Sequence, residues 1–309
     1  MKKKIVVLFA IVLLTLTGCT KYLSDDNNKR VVNEKTGQNL TANILCLPED
    51  NKLLEEYKKY EKNLPIKIEE LPKCTEMKIY EKKSYNGLWV GLFVRPLAWC
   101  IIKLGKVFGN YGLSVMIIGL IIRIIMLPIS AKTAKQQENM KKIQPEMSRI
   151  EKKYENKTDQ ESMMKKSQET LALYQKYNIN PMSSCLVSFI QLPLFFAFLE
   201  AINRVPAIFE NYFWKFQLGT TPLIGIKDGN YYYVILIILI LVFTALSFKQ
   251  SMASMSSSSE QVKQTKYMLI FMTVFIGIAS FQLPSAIALY WVVTNAFNVI
   301  QMNLMKKRG

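Results

Sequence analysis

Apolar residues fall in blocks along this 309-residue chain, and long polar stretches separate the blocks. Five blocks, residues 113–130, 182–202, 231–248, 267–283 and 287–302, approach the roughly 17 to 25 residues that an α-helix needs to cross a bilayer. The last two are joined by little more than Pro284, Ser285 and Ala286, which makes a tight hairpin. A shorter block at residues 5–16 follows Lys2, Lys3 and Lys4 and stops at Leu16-Thr17-Gly18-Cys19. It is short for a span and has the form of a lipoprotein precursor signal, with cleavage before Cys19 and lipid on its thiol. An ordinary signal peptide and a first span are the competing readings of the same residues.

The polar stretches differ among themselves. Residues 20–84 carry 13 Lys/Arg against 12 Asp/Glu and contain no run long enough for a bilayer, which places them outside it. Their one periodic piece lies near residues 49–62, where Leu53, Leu54, Tyr57 and Tyr60 recur at helical spacing and predict a helix over a small core. Cys46 and Cys74 flank it, and a disulfide and two separate thiols fit equally. Residues 85–111 mix Leu88, Trp89, Leu92, Phe93, Leu97, Trp99 and Ile102 with Arg95, Lys103 and Lys106, the composition of an amphipathic helix in the membrane interface, with Pro96 breaking the run. Residues 131–180 read as a helical hairpin. Met140, Ile143, Met147, Ile150 and Tyr154 form a seam, and Met164, Leu171 and Tyr174 are the expected partner. Residues 155–160 make the turn, and Pro145 kinks or restarts the first helix.

Charge orients these elements. Residues 131–180 hold 11 Lys/Arg with 7 acids interleaved, residues 249–266 hold three Lys, and the chain ends Lys306-Lys307-Arg308. Short loops rich in Lys and Arg stay in the cytoplasm, so the hairpin and the C-terminus are expected inside the cell and the N-terminal end outside. An odd number of spans is then required, and five satisfies it. The interleaved acids make the basic segment a poor nucleic-acid surface. The chain has no histidine, which removes the commonest general base and metal ligand. No CxxC pair and no GxxxxGK[ST] loop is present either. An enzyme, a metal site and a cofactor are therefore not expected.

Arg123 lies ten residues from the start and seven from the end of its block, on the order of 10 to 15 Å from water along a straight helix. An arginine at the centre of an isolated span costs about 2.5 to 3.5 kcal/mol on insertion scales. Glu200, the one acid inside a block, is near the far end of its own. Polar residues recur at helical spacing elsewhere: Ser184, Ser188 and Gln191, then Trp291, Thr294, Asn295, Asn298 and Gln301. Two readings fit them, a hydrated groove shared with Arg123 or hydrogen-bonded glue between spans.

These residues also carry a resemblance. Ile121-Ile122-Arg123-Ile124-Ile125-Met126-Leu127-Pro128, the basic hairpin with Ile143-Gln144-Pro145-Glu146-Met147, then Asn180-Pro181-Met182 with Gln191-Leu192-Pro193-Leu194-Phe195-Phe196-Ala197, and Leu283-Pro284-Ser285 with Leu289-Tyr290-Trp291-Val292-Val293-Thr294-Asn295 stand in this order. Over residues 85–307 the chain resembles the YidC/Oxa-type membrane protein insertases. The resemblance implies a positively charged groove, open to the cytoplasm and the lipid, that receives the polar segment of a nascent membrane protein. It would be lined by Arg123, Gln191, Ser184, Ser188, Trp291, Tyr290, Thr294, Asn295 and Asn298. Nascent membrane proteins and membrane lipids are the implied partners, with the Sec translocon, the ribosome and the signal recognition particle pathway beside them. Gly119 and Ser247 stand where relatives carry more polar residues, and Met252, Met255, Met268 and Met272 add soft apolar surface near the cytoplasmic end.

The chain thus reads as an all-α membrane protein, a five-helix transmembrane bundle with a cytoplasmic helical hairpin and an external interfacial helix. Residues 1–18 are a lipoprotein signal, 19–84 a lipid-anchored extension, 85–111 the interfacial helix and 112–309 the core of a multi-pass protein of the bacterial cell membrane. A small-solute transporter is the alternative, but five spans do not divide into the two matching halves such proteins show.

Overall fold

The computed structural model describes residues 20–80, 87–180, 183–253 and 260–308, and over these the chain is mostly helical. The elements are α1 (Asn51–Lys59), α2 (Arg95–Phe108), α3 (Tyr111–Ile125), α4 (Leu127–Lys142), α5 (Gln144–Lys153), α6 (Gln160–Lys176), α7 (Ser183–Arg204), α8 (Pro206–Phe209), the hairpin strands β1 (Tyr212–Phe213) and β2 (Phe216–Gln217), α9 (Pro222–Lys227), α10 (Tyr233–Ala253), α11 (Glu260–Ser280) and α12 (Ser285–Arg308). Residues 1–18 and Cys19 lie outside the described residues, as do Met255 and the side chains of Ser184, Ser188, Met252 and Met268. The chain divides into two compact units, residues 1–120 with 192–238 and 279–293, and residues 121–191 with 239–278 and 294–309.

In the first unit the extension is a folded piece. Asp50 caps α1 by accepting from the N–H groups of Lys52 (2.8 Å) and Leu53 (3.4 Å), which satisfies donors that the first turn leaves over. Leu53 and Tyr57 face inward, as their spacing predicts. The core is larger than that helix implied: Leu23, Val31, Leu40, Ala42, Ile44, Ile68 and Leu71 join them, together with Phe209 of α8. Most of these residues lie on turns and isolated antiparallel bridges such as Val32 to Asn39, where no helical period marks them. Cys46 and Cys74 are disulfide-bonded across a separation of 28 residues, a closure that removes about 3–4 kcal/mol of unfolded-chain entropy.

Backbone groups tie the extension to the end of α7. Leu45 N–H donates to Arg204 O (2.8 Å), Arg204 Nε donates to Asn43 O (2.9 Å), and Thr41 Oγ1 donates to Asn203 O (2.8 Å). Arg204 is fully buried and pairs with Glu200 at 3.0 Å. Trp89 Nε1 donates to the other oxygen of Glu200 at 2.9 Å, so this indole is buried within the protein. The break expected at Pro96 does not occur. A π-helical turn at Val90–Val94 leads straight into α2, and Arg95 N–H reaches Val90 O across that wider turn, next to the donor that Pro96 lacks. Gly109, at φ 65°, ends α2 in the left-handed conformation that favours glycine.

In the second unit α3 stops at Ile125, and α4 begins at Leu127 with Pro128 in its first turn. The two helices are bent by 54° at Met126. The straight block of residues 113–130 is therefore broken, because proline removes a helical donor and crowds the carbonyl four residues back. The hairpin restarts at Gln144 with Pro145 in the first turn, and Asp159 caps α6 through the Ser162 N–H (2.8 Å). Its core is Ile143, Met147, Leu173, Tyr174 and Ile179, flanked by Met140, Ile150 and Tyr177. The first helix of the seam is as its spacing predicts. On the second, Leu171 is 54% and Met164 56% exposed, and Leu173 takes the inward place.

Candidate functional site

Helix α10 is apolar on its exposed face, and its buried face passes from Leu236, Ile237 and Ile240 to two hydroxyl residues. Val234, Ile235, Ile238, Val242 and Leu246 are exposed at spacings of three and four, whereas Thr244 and Ser247 are buried. Such a stripe of large exposed apolar residues suits lipid tails, and the two buried hydroxyls in the second half of the helix suit a hydrated or hydrogen-bonded interior there. On α11 Tyr267, Ile270, Phe271, Val274, Phe275 and Ile278 are exposed in the same manner. Among the described residues, Tyr233–Gln250 is long and apolar enough to cross a membrane, the bent pair α3–α4 passes if taken as one span, and Leu269–Ser280 is shorter.

Polar side chains gather within the second unit. Asn298 Nδ2 on α12 donates to Ser247 Oγ on α10 at 3.4 Å. One turn further, Gln250 Nε2 donates to Asn303 Oδ1 at 2.9 Å and to Val299 O at 3.4 Å. Thr294 and Gln301 on α12 are buried, while Asn295, Asn298, Gln191 and Arg123 are half-buried. Thr244 Oγ1 and Gln250 Oε1 are buried without a hydrogen-bond partner among the described residues, a condition that costs about 1–3 kcal/mol for each group left so. Thr244 and Gln250 escaped the sequence reading. The signal was there, since Thr244, Ser247 and Gln250 recur every three residues in an apolar run.

Arg123 stands in the last turn of α3, two residues before the helix ends. The helix is not straight through this residue as drawn from the sequence: it bends just after it, at Met126. The C-terminal turn of a helix presents unsatisfied carbonyls and the negative end of the macrodipole, so a cation there is favoured by about 0.3–1 kcal/mol, and by more where partly buried. The fold therefore offsets part of the cost of the charge locally, through the break that Pro128 causes.

Tyr290 and Trp291 belong to the first unit. Tyr290 is buried and stacks on Phe198 with ring centroids 4.2 Å apart, and Trp291 meets Phe195 edge-on at 5.3 Å. Glu200, through its bonds to Arg204 and Trp89, is part of the first unit's frame. A polar cleft of about 700 Å³ also lies in this unit, with Arg30, Lys35, Asp50, Glu56, Glu210 and Tyr212 on its walls. Burial pushes the Glu210 carboxyl up to about 7, against the opposing pull of the Glu49 and Asp50 N–H groups that it accepts.

Residues 103–309 match the family model described as 60Kd inner membrane protein. The chain is similar to the membrane protein insertase YidC of Oceanobacillus iheyensis, 37% identical over 239 residues that cover 76% of this chain and 90% of that protein. It is likewise similar to the membrane protein insertase MisCA of Bacillus subtilis, 36% identical over 234 residues, 75% of this chain and 85% of the relative. Its structure superposes on a crystal structure of an active YidC insertase with a TM-score of 0.51 and 25% identity, covering 72% of this chain and 47% of that one. The chain thus spans about half the length of that solved chain.

Proposed function

The chain belongs to the 60Kd inner membrane protein family and is a membrane protein insertase of the cell membrane, and from that premise we propose that it moves the polar segment of a nascent membrane protein into a hydrated groove centred on Arg123. Five spans are proposed, carried by α3 with α4, α7, α10, α11 and α12, with the α4–α6 hairpin and the C-terminus in the cytoplasm. The N-terminus is proposed to be cleaved before Cys19 and lipidated outside. The relatives' names give the solute-transporter alternative no support.

One observation carries the mechanism: a row of buried polar side chains, Thr244, Ser247, Thr294 and Gln301, with the half-buried Asn298 bonded to Ser247, inside helices whose outer faces are apolar. Lipid tails cannot hydrogen-bond such groups, whereas water or the backbone of a client can. With Arg123, Gln191 and Asn295, and with Ser184 and Ser188 on α7, they form the proposed polar wall. Arg123 attracts acidic residues in the client's leading segment. The client's apolar segment then leaves along greasy surface, to which the half-buried Trp291 contributes on its own unit, with the buried Tyr290 packed behind it on Phe198. Water in the groove shortens the apolar barrier, so insertion proceeds without a reaction catalysed by this chain. The Sec translocon, the ribosome and the signal recognition particle pathway are proposed partners on the strength of the resemblance.

The test is insertion of a small client with an acidic tail into proteoliposomes, scored by protease protection. Arg123→Ala is expected to lower insertion about tenfold or more, the scale of one lost charge-assisted contact of about 1.5–3 kcal/mol. Arg123→Lys keeps the charge and retains most of the activity. Normal insertion by the alanine variant would overturn the electrostatic mechanism.

A further inference from the structure

The β1–β2 hairpin holds a tryptophan in an unfavourable place. Phe213 pairs with Phe216, so Trp214 and Lys215 form a two-residue turn. Trp214 has φ 52°, at a turn position where glycine, asparagine or aspartate is usual and a bulky residue is an outlier. Its side chain is 68% exposed. Strain of this kind persists where the surrounding structure holds it in place, and it clusters at functional sites.

Aromatic contacts fix the hairpin to the start of α10. The Trp214 ring lies edge-on to Phe216 at 5.8 Å, Phe216 meets Tyr232 at 5.6 Å and Tyr233 at 5.5 Å, and those two tyrosines stack at 4.9 Å. Gln217 N–H donates to Tyr233 Oη at 3.0 Å, and Tyr232 Oη donates to Lys215 O at 3.1 Å. The ammonium of Lys215 stands 5.6 Å from the Trp214 ring centre. Tyr212 and Tyr231 are exposed as well, at 56% and 73%. An indole, two phenols and a lysine at the mouth of an apolar helix match the chemistry of the lipid headgroup layer.

We infer that Trp214, with Lys215, Tyr212 and Tyr231, is a membrane-interface anchor that seats its indole among the lipid headgroups where α10 enters the bilayer, with Lys215 on lipid phosphates. The inference rests on α10 as a span, and it sets the depth of that span. Thr244 follows Tyr233 by eleven residues, about 16 Å of helix, which is half of a hydrocarbon core of roughly 30 Å. Anchoring at Trp214 thereby holds the buried hydroxyl of Thr244 at the bilayer midplane, since interfacial aromatic and basic residues govern how a span sits.

The experiment uses the full chain in liposomes and reads tryptophan emission as the difference between wild type and Trp214→Phe, which isolates residue 214 from the other three tryptophans. Lipids brominated near the headgroup should remove most of that difference signal, and lipids brominated near the chain ends or aqueous iodide should remove little. A difference signal quenched chiefly by iodide would overturn the anchor. Val242→Trp in the Trp214→Phe background tests the span separately, because Val242 is an exposed mid-helix residue of α10 and should be quenched most by the deep bromines. Deep quenching at 242 with iodide quenching at 214 rejects the anchor alone, and iodide quenching at both positions rejects the span with it.

Discussion

Thr244 shows how one hydroxyl separates stability from function. Its oxygen is buried without a partner among the described residues, so Thr244→Val removes an unsatisfied acceptor at nearly constant volume. The variant should be neutral or more stable by up to about 1 kcal/mol in detergent melts, yet insert the acidic-tailed client more slowly. Equal insertion would remove Thr244 from the groove. Glu210 offers a second test at this scale. Burial raises its carboxyl from the ordinary 4.5 to about 7, so the folded state binds the proton more tightly than the unfolded one. The resulting stabilisation is fully present below pH 4.5, declines as pH rises and is gone above about pH 7. The groups around it are Glu49, Asp50, Lys35, Tyr57 and Tyr212. Hydrogen exchange at the amides of Glu49 and Asp50 should quicken from pH 5 to 7 beyond the intrinsic change, and Glu210→Gln should flatten that excess.

Among the elements, the hairpin distinguishes spacing from packing. Both Leu171 and Leu173 lie on α6, and a heptad-like reading selects the first, whereas the fold buries the second. Leu173→Ala should cost about 2–4 kcal/mol of hairpin stability, as for other core leucines, and Leu171→Ala less than about 0.5 kcal/mol, as for exposed sites. Amide exchange in α5 and α6 measures both. At the α3–α4 junction Pro128 acts on Arg123 through the helix break: the helix ends two residues after the guanidinium-bearing residue, which places the charge at the negative end of its own dipole.

For the whole molecule, the N-terminal extension is the part whose stability depends most on distant sequence. Its core includes Phe209, and its backbone meets Asn203 and Arg204, about 160 residues further along the chain. The Cys46–Cys74 bond closes a loop within it. Cys46→Ser with Cys74→Ser should lower the extension's stability by about 3–4 kcal/mol, seen as faster proteolytic cutting within residues 20–80 while residues 103–309 keep their helical content. Cutting at the wild-type rate would mean that the contacts to α7 suffice without the bond.

Local spacing in the sequence determined where most of the helices lie. The apolar blocks at residues 182–202, 231–248 and 287–302 fall on α7, α10 and α12, and Pro145 and the polar residues before Gln160 mark the hairpin's restart and turn. These features depend on neighbours three or four residues away, so a one-dimensional pattern records them. Arg123, Asn298 and Thr294 were visible as polar residues inside apolar runs for the same reason. Only the tertiary structure decided the rest: that Trp89, Glu200 and Arg204 join in one buried cluster, that Leu173 rather than Leu171 packs the hairpin, and that Thr244 and Gln250 turn inward. Each of these depends on which face of an element meets another, and packing between residues far apart in sequence sets that face without leaving a period along the chain.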